Sequence, residues 1–164
     1  MFDPTTLQGI PYIEGKDDCY GLCRRYYAQA YDLHMLNYAR PLNFAYAGID
    51  LIGQYVQEEG FQIKDISLHR LEPGDGLLMS FSLRGMHPGL VNHIGMYLGG
   101  GQILHHVWQA PSIIEPLTVR WKRRVMTVVR HPEVTAANKE NRVEVDFIDL
   151  LPPHLRHRYV EKAS

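Results

Sequence analysis

Lys16-Asp17-Asp18-Cys19-Tyr20-Gly21-Leu22-Cys23 is the stretch that decides the fold of this chain. It joins a glycine-bounded turn to a segment in which apolar residues recur with helical spacing. Asp17 and Asp18 are good N-cap candidates, because a carboxylate there accepts hydrogen bonds from the free backbone N–H groups of the first turn. The pattern predicts a helix that begins at Cys19, ends near His34 and carries the apolar positions Leu22, Cys23, Tyr26, Ala30 and Leu33.

The two cysteines of the chain have different predicted roles. Cys19 falls in the first turn, where the positive end of the helix dipole favours a thiolate, so it is a candidate nucleophile if a histidine lies beside it. Cys23 shares the buried face with Leu22 and Tyr26 and is predicted to be a small core residue. Two cysteines four residues apart on one helix are badly placed for a disulfide, and we expect both thiols to be free.

Composition excludes several classes of protein. The 164 residues suit one domain, and 45% hydrophobic residues are enough for a core. With 17 basic and 18 acidic residues, there is no global electrostatic case for nucleic-acid binding. No apolar run is long enough for a membrane span. The first six residues lack the basic and apolar segments of a signal peptide, so we expect synthesis in a cytoplasm without export by that route.

The order of predicted elements indicates an α+β fold with N-terminal helices packed on an antiparallel meander. A second helix carries Leu51, Ile52, Tyr55 and Val56, and a turn is predicted over 71–76. Strands are predicted over 61–66, 77–81, 93–98, 102–107, 112–117 and 125–129. We expect the main domain to span 1–131. Residues 132–164 form a C-terminal extension with a linker over 133–142, an edge strand over 143–148 and a short helical end, and this extension is a candidate partner-binding segment.

A histidine is needed to activate Cys19, and the chain has nine. His93 opens a predicted strand directly after a loop, a natural place to face a cleft. Strand pairing then decides which residue orients it: a three-residue Gly99–Gly101 loop places His105 on the same face, and a two-residue loop places His106 there. Three consecutive glycines favour His105, and geometry alone leaves His106 open. A metal site at these histidines is the less favoured reading, because their spacing to other ligands matches no zinc signature.

Four motifs in order resemble the NlpC-type cell-wall peptidases. Asp18-Cys19-Tyr20-Gly21-Leu22 resembles their nucleophile motif, and Leu71-Glu72-Pro73-Gly74-Asp75 the turn before their first core strand. His93-Ile94-Gly95-Met96-Tyr97-Leu98-Gly99 is similar to their histidine strand, and Ile103-Leu104-His105 to the strand that brings the third polar residue. Tyr12 matches a tyrosine upstream of the nucleophile. The match covers about residues 8–131 and implies a papain-like α+β fold.

One departure points to a subgroup. The family usually has serine after the nucleophile, where this chain has Tyr20, and a large side chain there is expected to reshape the substrate site. Together with Leu104-His105-His106 and Val128-Val129-Arg130-His131, this variant is similar to the peptidase domain of tail-tip assembly proteins of long-tailed phages. The resemblance implies tail-tip partners, synthesis in the host cytoplasm, a place at the virion tail tip and action on the host's periplasmic wall. At this length we expect the peptidase domain alone.

The resemblance also implies a mechanism. Cys19 attacks as a thiolate, His93 forms the ion pair with it and later protonates the leaving amine, and His105 orients His93. Backbone N–H groups, Tyr12, Asp18 and Tyr20 are candidates for oxyanion or substrate contacts. The implied substrate is the peptide stem of peptidoglycan, cut near a D-glutamyl–diaminopimelate bond, without a metal or organic cofactor. Two alternatives remain: a structural tail-tip assembly or plug protein with an idle or masked site, and an amidase or acyltransferase that uses the same Cys-His site.

Overall fold

The computed structural model describes residues 2–41, 44–82, 84–87 and 89–140. A 3-10 helix, Pro4–Leu7, precedes the helices α1 and α2 and the strands and helices that follow them. In chain order these are α1 Cys19–Tyr31, α2 Leu51–Glu58, β1 Gln62–Lys64, β2 Gly76–Met79, β3 His93–Gly99, β4 Gln102–His105, β5 Ile113–Pro116, α3 Val119–Lys122, β6 Val125–Arg130 and α4 Pro132–Glu140. No helix of this described part is long and apolar enough to cross a membrane.

Helix α1 begins where the sequence predicts and ends slightly earlier. Asp18 is its N-cap, and the carboxylate accepts a hydrogen bond from the backbone N–H of Gly21. Asp17, the other predicted cap, instead forms a backbone bridge with Ile13 and an ion pair with Arg25. The helix stops at Tyr31 because Asp32 adopts a left-handed conformation with φ 53°, which breaks the helical path three residues before His34.

All six strands form one antiparallel sheet in the order β1-β6-β2-β3-β4-β5. The predicted meander is confirmed for β2 through β5. Strand β6 then returns to the other side of β2 and lies between β2 and β1, which completes the sheet. The fold is therefore α+β, with helices and one antiparallel sheet, as the sequence indicates.

The β3–β4 hairpin decides which histidine faces His93. Gly95 pairs with His105, which puts His105 on the same face of the sheet as His93. Gly100 and Gly101 form the turn with φ 58° and 75°, and a register shift follows Tyr97. The turn itself has two residues, but the bulge restores the parity expected for a three-residue loop. The predicted shared face of His93 and His105 is confirmed, the predicted three-residue loop is wrong, and the orienting role of His105 stays a prediction.

The sheet separates two hydrophobic clusters. Helix α1 packs on one face, where its buried residues meet Ile94, Met96 and Leu104. The other face carries Leu77, Met79, Ile103, Leu117, Trp121 and Val128, with α3 supplying the tryptophan. Cys23 is fully buried in the α1-side cluster, which confirms its predicted core role.

Helix α4 corrects the linker predicted over 133–142. Residues Pro132–Glu140 are helical, and Val134 is fully buried in the same cluster as α1. Asn138 donates a side-chain hydrogen bond to the carbonyl of Pro73 at 2.7 Å. Polar composition hid this helix from the periodicity argument, because a single buried valine is enough to dock it. The predicted edge strand 143–148 and the helical end lie outside the described residues.

Candidate active site

Cys19 is the first residue of α1, held in place by its neighbour Asp18. One carboxylate oxygen of Asp18 accepts from the Gly21 N–H at 2.8 Å, and the other from the Gly15 N–H at 2.9 Å. Arg40 donates from Nε to that second oxygen at 2.7 Å, and both side chains are buried. Asp18 therefore binds the turn, the helix and a distant loop together. This geometry makes it a positioning group for Cys19, and its predicted contact with substrate stays a prediction.

Gly21, two residues after Cys19, lies where only a glycine fits. A Cβ at this position would lie 1.9 Å from the carbonyl oxygen of Lys16, far inside van der Waals contact. Any side chain would push the Lys16 turn away from α1 and with it the cap that orients Cys19. The glycine is therefore required by the close approach of two backbones.

A chain of hydrogen bonds crosses β3, β4 and β5 on the sheet face that carries Trp121, opposite the face on which α1 packs. Nε2 of His93 lies 3.2 Å from Nδ1 of His105, and Nε2 of His105 lies 2.8 Å from Oε1 of Glu115. The predicted pair, His93 and His105, is thus in contact, and both rings are buried. Phe81 packs edge-on against His93 at 5.0 Å, and Trp121 against His105 at 4.6 Å. These two aromatic rings pack apolar surface against the histidine pair.

Cys19 approaches this chain from the α1 side of the sheet. Its sulfur lies beside the backbone N–H of Ile94, the residue directly after His93, and beside that of Tyr20. The hydrogen bond of the His93 ring runs to His105. A direct sulfur–imidazole bond between Cys19 and His93 therefore stays a prediction. Catalytic hydrogen bonds of this kind are often long in free enzymes and tighten when substrate binds.

The prediction that the helix dipole favours a thiolate at Cys19 is wrong for the free protein. Burial, reinforced by the negative charge of Asp18, raises the pKa of the Cys19 thiol to about 12. The N–H of Ile94, the charge of Arg40 and the N–H of Tyr20 oppose this rise without cancelling it. Desolvation of an anion outweighs the first-turn dipole here. The sulfur therefore carries its proton at neutral pH.

The histidine pair is neutral for the same reason. Burial lowers the pKa of His93 well below its usual range, and the nearby His105, His106 and Arg124 add to the effect. Burial also lowers the pKa of His105, although Glu115 partly opposes it. A neutral imidazole can take the proton of a neutral thiol during attack, so these protonation states suit general-base catalysis.

Tyr12 and His106 occupy the other side of Cys19. Their rings meet edge to face at 5.3 Å, and His106 lies among Ile10, Ala110 and the Asp17–Asp18 pair. Burial, with the nearby Cys19 and Asp18, raises the pKa of the Tyr12 phenol, which keeps it a hydrogen-bond donor. Tyr12 lines a groove of about 360 Å³ with residues of the 9–11 and 109–111 segments. A larger depression of about 530 Å³ lies elsewhere, between the 3-10 helix and the β3–β4 turn.

The Tyr20 side chain lies in the core. It is fully buried, packs against Tyr38 and Tyr55, and donates from its hydroxyl to the carbonyl of Leu36 at 3.2 Å. The guanidinium of Arg40 lies 5.0 Å from its ring centre. The expectation that its side chain reshapes the substrate site is corrected accordingly: the ring braces the loop that carries Arg40, and only the Tyr20 backbone N–H faces the sulfur.

Sequence reasoning missed three residues of this region: Arg40, Glu115 and Trp121. Each comes from a distant segment, and no local motif marks it. The predicted strand over 112–117 contained a weak signal for Glu115, because a lone acid in a strand beside a histidine strand is a candidate partner. Nothing in the spacing of Arg40 or Trp121 indicated contact with the Cys19 region.

Comparison with known proteins places this geometry in a known family. The chain matches the sequence model of the NlpC/P60 family over residues 9–130. Tail tip assembly protein K of Escherichia phage lambda is 30% identical over 125 residues, which cover 76% of this chain and 59% of that protein. The chain therefore spans about three fifths of the length of that curated relative.

Solved structures show the same fold. The NlpC/p60 domain of peptidoglycan hydrolase SagA superimposes with a TM-score of 0.50 at 23% identity, covering 77% of this chain and 91% of that one. NlpC1 from Trichomonas vaginalis gives a TM-score of 0.51 at 25% identity, covering 77% of this chain and 40% of that one.

Proposed function

Because this chain belongs to the NlpC/P60 family, we propose that it is a cysteine endopeptidase of a phage tail tip that cuts the peptide stems of peptidoglycan. The observation that carries the proposal is the buried His93–His105 hydrogen bond, set directly behind the backbone position that the Cys19 sulfur touches. A neutral histidine held by a second histidine, together with a cysteine as the first residue of α1, suits acyl transfer through a thioester. The SagA domain, from a peptidoglycan hydrolase, supports the substrate class.

The proposed reaction has two halves. As the Cys19 sulfur bonds to the peptide carbonyl carbon, Nδ1 of His93 takes the thiol proton. The backbone N–H groups at the start of α1 and the Tyr12 hydroxyl stabilise the oxyanion. When the tetrahedral intermediate collapses, the C–N bond breaks and His93 gives its proton to the leaving amine. Water then attacks the thioester with His93 as base, which releases a carboxylic acid and restores the thiol.

The bond cleaved is proposed to be the one after D-glutamate, at diaminopimelate. Defined muropeptides test this point, since cleavage adds one water and exposes a new α-amino group on diaminopimelate. Mass spectrometry that instead located the new amine on an N-acetylmuramoyl–alanine junction would assign the chain to amidases. Transfer of the acyl group to an added amine without water uptake would assign it to acyltransferases.

The chain offers a matched control for the nucleophile. Cys19→Ala removes the sulfur at the proposed site, and Cys23→Ala removes the same atom one turn later in the core. We expect wild type and Cys23→Ala to release soluble peptides from purified sacculi, and Cys19→Ala to release none. Equal release by Cys19→Ala and wild type would overturn the proposal.

A second function is favoured by one observation, the similarity to a protein named for tail tip assembly. The chain would then act as a structural component at the tail tip, with its partners among tail-tip proteins and the C-terminal segment after residue 131 as a candidate contact. Complementation distinguishes the two functions. Phage with Cys19→Ala that build complete tails but fail to cross the wall would make the enzymatic role primary. If deletion of the chain abolished tail assembly while Cys19→Ala phage kept both complete tails and infectivity, the structural role would be primary.

A further inference from the structure

Glu115 stands at the end of the hydrogen-bond chain and has no part in the roles described so far. It lies on β5, opposite Ile103 of β4, on the same face as His105. Its Oε1 is 2.8 Å from Nε2 of His105, and its side chain is 31% exposed where that of His105 is fully buried. The acid therefore connects a buried histidine to solvent at the sheet edge.

Glu115, at the outer end of this chain, determines which ring nitrogens donate and which accept hydrogen bonds. A carboxylate can only accept, so Nε2 of His105 must carry the hydrogen. Because His105 is neutral, its Nδ1 then has a lone pair and accepts from Nε2–H of His93. His93 in that tautomer has its lone pair on Nδ1. This is the nitrogen that remains to accept a proton from Cys19.

The surroundings prevent the rings from escaping this arrangement. Trp121 stands perpendicular to the His105 ring, with an angle of 88° between the planes, and Phe81 stands at 83° to that of His93. A half-turn of either ring would break the His93–His105 hydrogen bond and the edge-to-face packing on these aromatic rings. Without an acceptor at Glu115, however, His105 could place its hydrogen on Nδ1 instead, and His93 would have to follow.

We propose that Glu115 is a positioning residue that, through His105, holds His93 in the tautomer able to accept the Cys19 proton. The inference rests on the proposed function for its catalytic consequence, while the tautomers themselves are a property of the folded protein. During attack His93 becomes an imidazolium, and the Glu115 carboxylate stabilises that cation through His105. No atom of Glu115 touches the substrate.

Two substitutions separate the effect of the hydrogen-bond acceptor at Glu115 from the effect of its negative charge. Glu115→Gln keeps an oxygen that can accept from His105 but removes the charge, and we expect kcat/KM to fall about 10-fold with the tautomers retained. Glu115→Ala removes the acceptor as well, and we expect a fall of about 100-fold or more, mostly in kcat. Glu133→Gln removes one carboxylate from the exposed first turn of α4 and serves as the control with wild-type activity.

The pH profile provides a readout that a purely structural role would not move. A nearby anion stabilises the imidazolium, so its removal lowers the pKa of the catalytic base. The acid limb of the kcat/KM profile, which reports protonation of His93, should therefore shift to lower pH in Glu115→Gln and stay in place in Glu133→Gln. An unshifted profile in a folded Glu115→Gln variant would contradict the stabilising role of the charge.

Nitrogen-15 NMR of histidine-labelled protein tests the tautomers directly. We expect hydrogen on Nε2 of both His93 and His105 in the wild type and in Glu115→Gln, and a mixture of tautomers in Glu115→Ala. Hydrogen on Nδ1 of His105 in the wild type would overturn the inference, as would unchanged tautomers in Glu115→Ala. If the spectra agree while the wild type cleaves no peptidoglycan, the proposed function fails and the positioning role stands.

Discussion

Two polar networks lie at opposite ends of β3, and both join an acid to a base across the sheet. At one end Asp75, fully buried, accepts from Nε of Arg130 at 2.6 Å and from Nη2 at 2.9 Å. At the other end Glu115 accepts from His105, which contacts His93. The first network has a base that is always charged, and the second has two bases that can exchange a proton.

This difference gives the two networks different capacities. We call Asp75–Arg130 the structural network and His93–His105–Glu115 the chemical network. The hydrogen bonds to Asp75 raise the pKa of Arg130 further, so the guanidinium keeps its charge wherever the protein is folded. Asp75 also accepts from the backbone N–H of Glu72, which ties the turn before β2 to β6. Burial instead lowers the pKa of His93 and His105, which keeps them neutral and able to accept a proton. The chemistry of the base, rather than burial alone, decides what each network can do.

The largest expected effect comes from removing the base of the chemical network. His93→Gln keeps a polar side chain of similar size but cannot act as a general base, and we expect kcat/KM on muropeptides to fall about 1,000-fold or more. Urea unfolding should change by no more than about 1 kcal/mol. A folded His93→Gln protein with the wild-type rate would remove His93 from the proposed mechanism.

Breaking the structural network should instead cost stability. Asp75→Asn removes the buried anion from the largely buried Arg130 guanidinium and leaves Glu72, 3.3 Å away, as a remaining ionised partner. We expect the free energy of unfolding to fall by about 2 kcal/mol. Urea denaturation measures the change, and the rate per folded molecule should match that of the wild type. A loss of rate in fully folded protein would show that the two networks are coupled.

Acid should weaken the chemical network and spare the structural one. His93 has a lower pKa in the folded protein than in the unfolded chain, so the unfolded chain binds more protons below about pH 6.5. Stability is therefore complete above that pH and is lost as pH falls, by at most about 1.4 kcal/mol per pH unit for each such histidine. Urea denaturation between about pH 5 and 7 measures the slope. His93→Gln should reduce it, and an equal slope in that variant would contradict the assignment.

The smallest effect should come from changing the geometry of the structural network while keeping its charge. Arg130→Lys retains a cation near Asp75 but loses the two parallel hydrogen bonds of the guanidinium. We expect the free energy of unfolding to fall by about 1 kcal/mol, with no change in the pH dependence. Thermal and urea denaturation measure it. A loss as large as that of Asp75→Asn would mean that geometry matters as much as charge here.

Local patterns predicted the elements that local forces form. The N-cap at Asp18 and the helical spacing after it placed α1 within three residues of its observed end. Alternation and glycine turns placed the strands. The three glycines favoured His105 over His106, but the observed register depends on a bulge beside a two-residue turn that the sequence did not predict. Helix α4 was missed because its helical pattern is weak and its packing depends on one valine, Val134.

Local sequence patterns did not predict the protonation state of Cys19 or the burial of the Tyr20 ring. The dipole argument predicted a thiolate at Cys19, but burial by residues far along the chain raises the pKa of the thiol. The place of Tyr20 beside the nucleophile suggested contact with substrate, but contacts with Tyr38 and Tyr55 bury its ring. Each error came from judging a side chain by its neighbours in sequence.

The sequence by itself determined where the helix that carries Cys19 begins, that His93 shares one face of the hairpin with a second histidine, and to which family the chain belongs, because caps, periodicity and strand pairing act over a few residues. Only the tertiary structure decided that Arg40 binds Asp18, that Glu115 ends the histidine chain and that the thiol and imidazole are both neutral. Desolvation and long-range hydrogen bonds depend on which segments meet in space, and that is settled when the sheet and α1 pack together.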